Sequence, residues 1–171
     1  MYDSDRLAAI IKKMAEEIGA QPLSEPILIG IHTGGAWLAE RLQAILNLPS
    51  PLGTLDISFY RDDFSRVGLN PEVKTSNLPV AVDDRDIILV DDVLHTGRTI
   101  RAALNEIFSY GRPERVCLAV LIERPGRELP IRADIVGQSL DLAAHQQAKL
   151  SNTDGRLALD IIHTDTGTLA S

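Results

Sequence analysis

A single cysteine, Cys117, excludes an intrachain disulfide and with it the stapled scaffolds of small secreted domains, so a reducing, cytoplasmic setting is expected. The thiol sits in the apolar string Val116-Cys117-Leu118-Ala119-Val120, which suits a buried structural side chain better than a nucleophile. Aromatics amount to only 4%, so the core must come from the aliphatic side chains that dominate a 44% hydrophobic content. Positive charge is also scarce. Lys and Arg number 17 against 24 Asp and Glu, a formal charge of -7 that argues against a broad basic face for nucleic acid while leaving room for local anion sites. No apolar run approaches the roughly 18 residues of a membrane span. The start of the chain, with Asp3, Asp5 and Arg6, lacks the basic-then-apolar layout of a signal peptide. Repeats, low-complexity tracts and linkers are missing too, and 171 residues fit one domain, 1–171.

What is present is an alternation of apolar runs and amphipathic stretches. Leu7, Ile10, Ile11, Met14 and Ile18 recur at helical spacing over residues 5–18, with Ser4 as N-cap and Gly19 as stop. Residues 26–31 form a short apolar run suited to a strand buried on both faces, and 36–46 a helix with Trp37, Leu38, Leu42 and Ile45 on one side. A second strand is expected over 53–60. The polar stretch 61–77, broken by Gly68 and Pro71, reads as an excursion, with 80–82 returning antiparallel to close a long hairpin. Residues 86–90 read as a buried strand, 99–110 as a helix ended by Gly111 and Pro113, and 115–122 and 134–137 as further strands. Beyond 139, alternation at Leu157, Leu159 and Ile161 suggests one last strand. Such alternation indicates βαβ units, and therefore an α/β fold with a central, mostly parallel sheet flanked by helices.

In such a sheet, ligands gather beyond the carboxyl ends of the strands, and the string Asp91-Asp92-Val93-Leu94-His95-Thr96-Gly97-Arg98-Thr99 lies between a strand and a helix. A phosphate there meets free N–H groups and the positive end of the helix dipole. Gly97 permits close backbone approach, and Thr96 and Thr99 add hydroxyls. The neighbouring carboxylates Asp91 and Asp92 are costly at a strand end unless hydroxyls or a hydrated cation use them, which suggests a ribose 5-phosphate. The alternative is that they merely cap the following helix. A second turn, Gly30-Ile31-His32-Thr33-Gly34-Gly35, can offer amides to another anionic group, or be an ordinary strand-to-helix turn. Neither string has the ending of a Walker A loop or the pattern of a dinucleotide turn.

The string from Ile88 to Thr99 resembles the 5-phosphoribosyl-1-pyrophosphate (PRPP) motif of type I phosphoribosyltransferases. Asp56-Ile57-Ser58-Phe59-Tyr60-Arg61-Asp62-Asp63, Thr99-Ile100-Arg101-Ala102-Ala103 and Arg127-Glu128-Leu129-Pro130-Ile131-Arg132-Ala133-Asp134 extend the resemblance, over most of the chain, to the PyrR family of pyrimidine regulatory proteins that are also uracil phosphoribosyltransferases. The resemblance implies a type I phosphoribosyltransferase-like fold with a flexible hairpin loop and a small hood of about 123–171 together with helix 5–18. It implies that Asp91 and Asp92 hold the ribose hydroxyls and that His95, Thr96, Gly97, Arg98 and Thr99 hold the 5-phosphate. It makes His32, Thr33, Gly34 and Gly35 the pyrophosphate turn. The excursion becomes a loop closing over PRPP, with Arg61 as the cation for the leaving group ahead of Arg66 and Lys74, or else a plain solvated loop. Ile131 and its neighbours would contact the base. The string Glu123-Arg124-Pro125-Gly126-Arg127 departs from the family's Asp-Arg-Gly-His-Arg-like run at the hood.

By this resemblance the reaction converts uracil and PRPP, with Mg²⁺, to UMP and pyrophosphate, with Asp91, Asp92 and Arg61 as the catalytic groups and Asp92 as an optional base. The different reading is a UMP-sensing regulator of pyrimidine genes that binds RNA and catalyses little. Lys12 and Lys13 are offset by Glu16 and Glu17, and the first turn has no cation beyond His32, which weakens RNA affinity. Arg98, Arg101, Arg124, Arg127 and Arg132 could still form a patch. A UMP sensor acting through another partner is a third reading, and purine salvage conflicts with the 127–134 string. The amphipathic first helix and the family favour a homodimer or a dimer of dimers.

Overall fold

The computed structural model describes residues 2–58 and 76–164. The elements are, in order, α1 (Ser4–Gly19), β1 (Ile27–Ile31), α2 (Gly34–Leu46), β2 (Gly53–Leu55), β3 (Asp86–Leu94), α3 (Arg98–Tyr110), β4 (Arg115–Glu123), β5 (Ile135–Ser139), β6 (Gln146–Thr153) and β7 (Arg156–His163). Strands β1 to β5 form one sheet in the order β2-β1-β3-β4-β5, and every pairing within it is parallel. All five residues of β1 are buried, as are the first six of β3, because both faces of the sheet are covered.

Two apolar clusters lie on the opposite faces. Leu28, Ile88, Val90, Cys117, Ala119 and Leu121 point toward α1, α2 and the β6–β7 hairpin, whereas Ile29, Ile31, Ile87, Leu89, Leu118 and Val120 pack with Ile57, Val82 and the buried side of α3. The alternation along each strand is the period of two that a sheet imposes. The thiol of Cys117 is buried and its pKa is raised to about 11, first by burial and then by the charge of Asp134, which agrees with an inert core residue.

Several boundaries differ from the sequence expectation. The N-cap of α1 is Asp3, whose carboxylate accepts from Arg6 N at 2.9 Å, while Ser4 Oγ donates to Leu157 O. Helix α2 starts at Gly34, and Ile45, expected on its inner side, is half exposed. The return of the chain to β2 is made by Asn77, in an antiparallel bridge with Thr54, and residues 80–82 form no strand. Of the strand expected over 53–60, the sheet takes only Gly53–Leu55; residues 59–75, and with them the excursion, lie outside the described residues. The last segment holds two strands, β6 and β7, joined by Asp154 and Gly155 at φ 50° and 79°. This is the positive-φ pair of a tight hairpin turn. The apolar face of α1, from Leu7 to Ile18, is spent on the core of its own chain.

Candidate functional site

Strand order 2-1-3-4-5 reverses direction between β1 and β3, and the carboxyl ends of those two strands open the crevice where ligands of open α/β sheets bind. The structure brings the two turns singled out from sequence together there. Glycine makes this possible: a Cβ on Gly34 would stand 2.2 Å from Asp92 Oδ2, and one on Gly35 would stand 2.5 Å from Val90 O and 3.0 Å from Asp91 Cα. Further in, a Cβ on Gly30 would meet Ala36 Cα at 2.7 Å, so α2 leaves β1 at the closest approach a backbone allows. His32 N donates to Leu55 O at 2.9 Å, which pins the turn to β2, and the His32–Thr33 peptide is cis.

Asp91 and Asp92 do not begin the loop, as the sequence suggested, but continue β3, where Asp91 pairs with Val120 and Val93 with Ile122. The rigid sheet thus carries both carboxylates, and the loop proper shrinks to residues 95–97. Asp91 is 2% exposed, and its Oδ1 accepts from Asp92 N at 2.9 Å, while Asp92 Oδ1 accepts from Val93 N at 2.9 Å. These backbone N–H groups give the two carboxylates hydrogen-bond partners at the strand tip.

The N-caps of α2 and α3 are Thr33 and Gly97, and neither makes a side-chain capping hydrogen bond. Each helix start therefore leaves orphan N–H groups in the crevice, the usual equipment for binding phosphate. Gly97 has φ 95°, which favours glycine. The β4–β5 connection braces the loop: Glu128 N and Leu129 N donate to Thr96 O at 2.9 and 3.2 Å, Arg127 donates to His95 O, and Arg98 Nε donates to Glu128 Oε2 at 2.8 Å. Ile131 also lies here, with its Cβ 3.3 Å from where a Gly97 Cβ would be, under the loop. Thr99 is half-buried in the first turn of α3.

A cavity of about 280 Å³ runs from this strand tip to the start of β6, lined by Asp91, Asp92, Val93 and His95 on one side, Arg124 on its floor, and Ala144, Gln147 and Ala148 opposite. The pKa of His95 is lowered, chiefly by burial and then by the positive charge of Arg124, with Glu128 opposing and Arg127 adding to the effect. Arg124 is the residue sequence reasoning misassigned. It is 7% exposed and closed under the 142–146 segment, so it adds nothing to a surface patch of arginines. Arg61, Arg66 and Lys74 lie outside the described residues. No group of three or more metal-ligating side chains occurs among the described residues.

Two helix starts without capping side chains and a carboxylate pair at the switch point of a 2-1-3-4-5 sheet fit the phosphoribosyltransferase class, and the family described as the phosphoribosyl transferase domain matches residues 1–151. Solved structures agree on the fold. A hypoxanthine phosphoribosyltransferase from Staphylococcus aureus aligns at a TM-score of 0.63 over 81% of this chain and 75% of its own, at 19% identity. A hypoxanthine-guanine phosphoribosyltransferase from Bacillus anthracis aligns at 0.65 over 82% of both chains, at 18% identity.

Sequence relatives narrow the class. Bifunctional protein PyrR of Nitrosococcus oceani is 61% identical over 145 residues, 84% of this chain and 80% of that protein. The proteins of the same name from Pseudomonas fluorescens and Pseudomonas syringae pv. tomato are 53% and 50% identical, over 84% and 90% of this chain and 88% and 92% of theirs. The chain belongs to the PyrR family of phosphoribosyltransferases.

Proposed function

We propose that this protein is a cytoplasmic uracil phosphoribosyltransferase that transfers the ribose 5-phosphate of PRPP to N1 of uracil. The bond from C1′ to the pyrophosphate oxygen breaks, the bond from C1′ to N1 forms, the N1 proton is lost, and UMP and pyrophosphate leave. The observation that carries this reading is the meeting of the 32–35 turn with Asp91 and Asp92 at the β1/β3 switch point, at a spacing only Gly34 and Gly35 allow. Amides of residues 96–99 would hold the 5-phosphate, and those of the 32–35 turn the departing pyrophosphate. Asp91 and Asp92 would accept from the ribose hydroxyls and face the positive character that grows on the ribose as pyrophosphate departs. Arg61 is assigned to the leaving group through the family resemblance.

The donor set suits Mg²⁺. Two oxygen-bearing carboxylates at the strand tip, without a cage of three ligands among the described residues, match an ion that keeps its waters and arrives on substrate phosphates. When bound it would neutralise charge on the pyrophosphate. A homodimer or dimer of dimers is carried over from the family alone, because the buried side of α1 packs on the core of its own chain.

A second reading, control of pyrimidine genes through UMP sensing, is favoured by the word bifunctional in the relatives' name. RNA recognition by the arginines of the hood is the weaker part of it: Arg127 pairs with Glu123 at 2.8 Å, Arg98 with Glu128 at 2.8 Å, and Arg124 is buried. No helix among the described residues is long and apolar enough to cross a membrane. The test is conversion of labelled uracil to UMP with PRPP and Mg²⁺, beside hypoxanthine. UMP without inosine monophosphate supports the enzyme; UMP binding without turnover supports the sensor.

A further inference from the structure

Arg124 follows directly on β4 and continues its pairing with β3, since its N donates to Leu94 O at 3.0 Å. Its guanidinium passes under the β5–β6 connection. Nη1 donates to Gln146 O at 2.8 Å, and Nη2 lies 3.3 Å from both Leu142 O and Ala143 O. Within the connection Gln146 N donates to Ala143 O and Gln146 Oε1 accepts from Ala143 N, while Leu140 N donates to Glu123 O at one end and His145 O accepts from Thr164 N at the other. Two carbonyls of the irregular connection and that of Gln146, the first residue of β6, thus converge on one buried cation. A planar fork of five donors can serve all three at once, which an ammonium on a flexible stem does less well. Ala144, which lines the cavity, belongs to that connection, and Gln147 and Ala148, which line it too, follow directly on Gln146 in β6.

The arginine also stands between two spaces. It floors the cavity that contains Asp91, Asp92 and His95, and it lines a larger one of about 620 Å³ with Glu123, Pro125 and Leu140. Its Nε is buried without a hydrogen-bond partner among the described residues, which leaves the side chain one donor short of full satisfaction at the cavity floor. A buried guanidinium is costly, and an apolar residue would fill the space without that cost, so the carbonyls it gathers are the reason to keep it there.

The geometry points to Arg124 as a positioning residue for base recognition: by holding the carbonyls of Leu142, Ala143 and Gln146 it fixes the wall of the cavity against which the nucleobase is read, while the ribose and phosphate sites on β1, β3 and α3 stand without it. This rests on the uracil reading above. The role belongs to ordering the wall, and contact with the reacting atoms is not required of it.

The experiment compares the Kd of UMP with that of ribose 5-phosphate, by calorimetry, for the intact protein, Arg124→Lys and Arg124→Met, with uracil and PRPP KM values measured beside them. Arg124→Met should lose about tenfold or more of the UMP affinity, roughly one charge-assisted hydrogen bond of ordering, while ribose 5-phosphate affinity and PRPP KM stay within about twofold. Arg124→Lys should fall between, because it keeps the charge and loses the fork. If Arg124→Met does not fold, Arg124→Lys alone decides, since it must still separate UMP from ribose 5-phosphate. Parallel losses of both ligands, or loss of neither, would overturn the proposal while leaving the uracil reading intact. An intact protein that binds UMP no better than ribose 5-phosphate would overturn both.

Discussion

Gly35→Ala is the sharpest test of how the site is assembled. The new methyl would lie 2.5 Å from Val90 O, about 0.9 Å inside ordinary contact, and 3.3 Å from Asp91 Oδ1. Val90 is fully buried in β3 and registered with Gly30 across the β1 pairing, so the strand cannot yield. Relief must come from the 32–35 turn and the start of α2, which would move off the carboxylates by most of an ångström. Overpacking of this kind costs about 1–3 kcal/mol. For a domain of this size that is a Tm lower by roughly 2–12 °C. Catalysis should suffer more than stability, because a displacement near 1 Å costs on the order of 10²-fold in rate. Calorimetric melting and pyrophosphate release at saturating PRPP would be measured beside Gly19→Ala, whose methyl has its nearest neighbour, Leu46 Cδ2, at 4.0 Å in a helix. That control should melt at or slightly above the parent. Parental rate and Tm for Gly35→Ala would refute the claim that glycine is needed to join the two turns.

Other outcomes follow from the same geometry. Asp91→Asn with Asp92→Asn keeps the acceptor oxygens for the backbone N–H groups of Asp92 and Val93 and removes the charge, so the fold should survive while ribose binding and turnover fall by at least about 10²-fold. His95 has a lowered pKa, so the unfolded chain takes up its proton first as pH falls. Its contribution to stability is therefore full above about pH 6.5 and shrinks below it, and His95→Gln should flatten that part of the urea-midpoint curve between about pH 5.5 and 7.5. Cys117, buried and held near a pKa of about 11, should resist an aromatic disulfide reagent in the native protein and react promptly once the protein is unfolded.

The sheet was legible because its strands are buried on both faces and so read as continuous apolar runs, as in Ile27 to Ile31 and Ile87 to Val90. Strand β6 is less legible for the opposite reason: its burial alternates from Gln146 to Leu150, but Leu150 is its one large apolar residue, so the sequence hardly marks it. The Asp154-Gly155 pair was the available signal for its hairpin. The carboxylates and both glycine turns were found from sequence, but as loop chemistry. That β3 extends through Asp91 and Asp92, and that Gly34 and Gly35 serve close approach as well as amide presentation, depends on which strands are neighbours. Ile45 fits the helical period of α2 and is nonetheless half exposed, because it borders an open groove between α1 and α2 beside Ala8 and Arg41. Arg124 could not have been read correctly, because the carbonyls that bury it lie 18 to 22 residues away, in an irregular connection and at the start of β6.

The most direct test of the joined site is pyrophosphate release from PRPP and Mg²⁺ with uracil, with hypoxanthine and with no base, for the intact protein and the Asp91→Asn, Asp92→Asn variant. Release that depends on uracil and disappears in the variant is the predicted result. Release that is equal in the variant, or that hypoxanthine supports as well as uracil, would contradict the account.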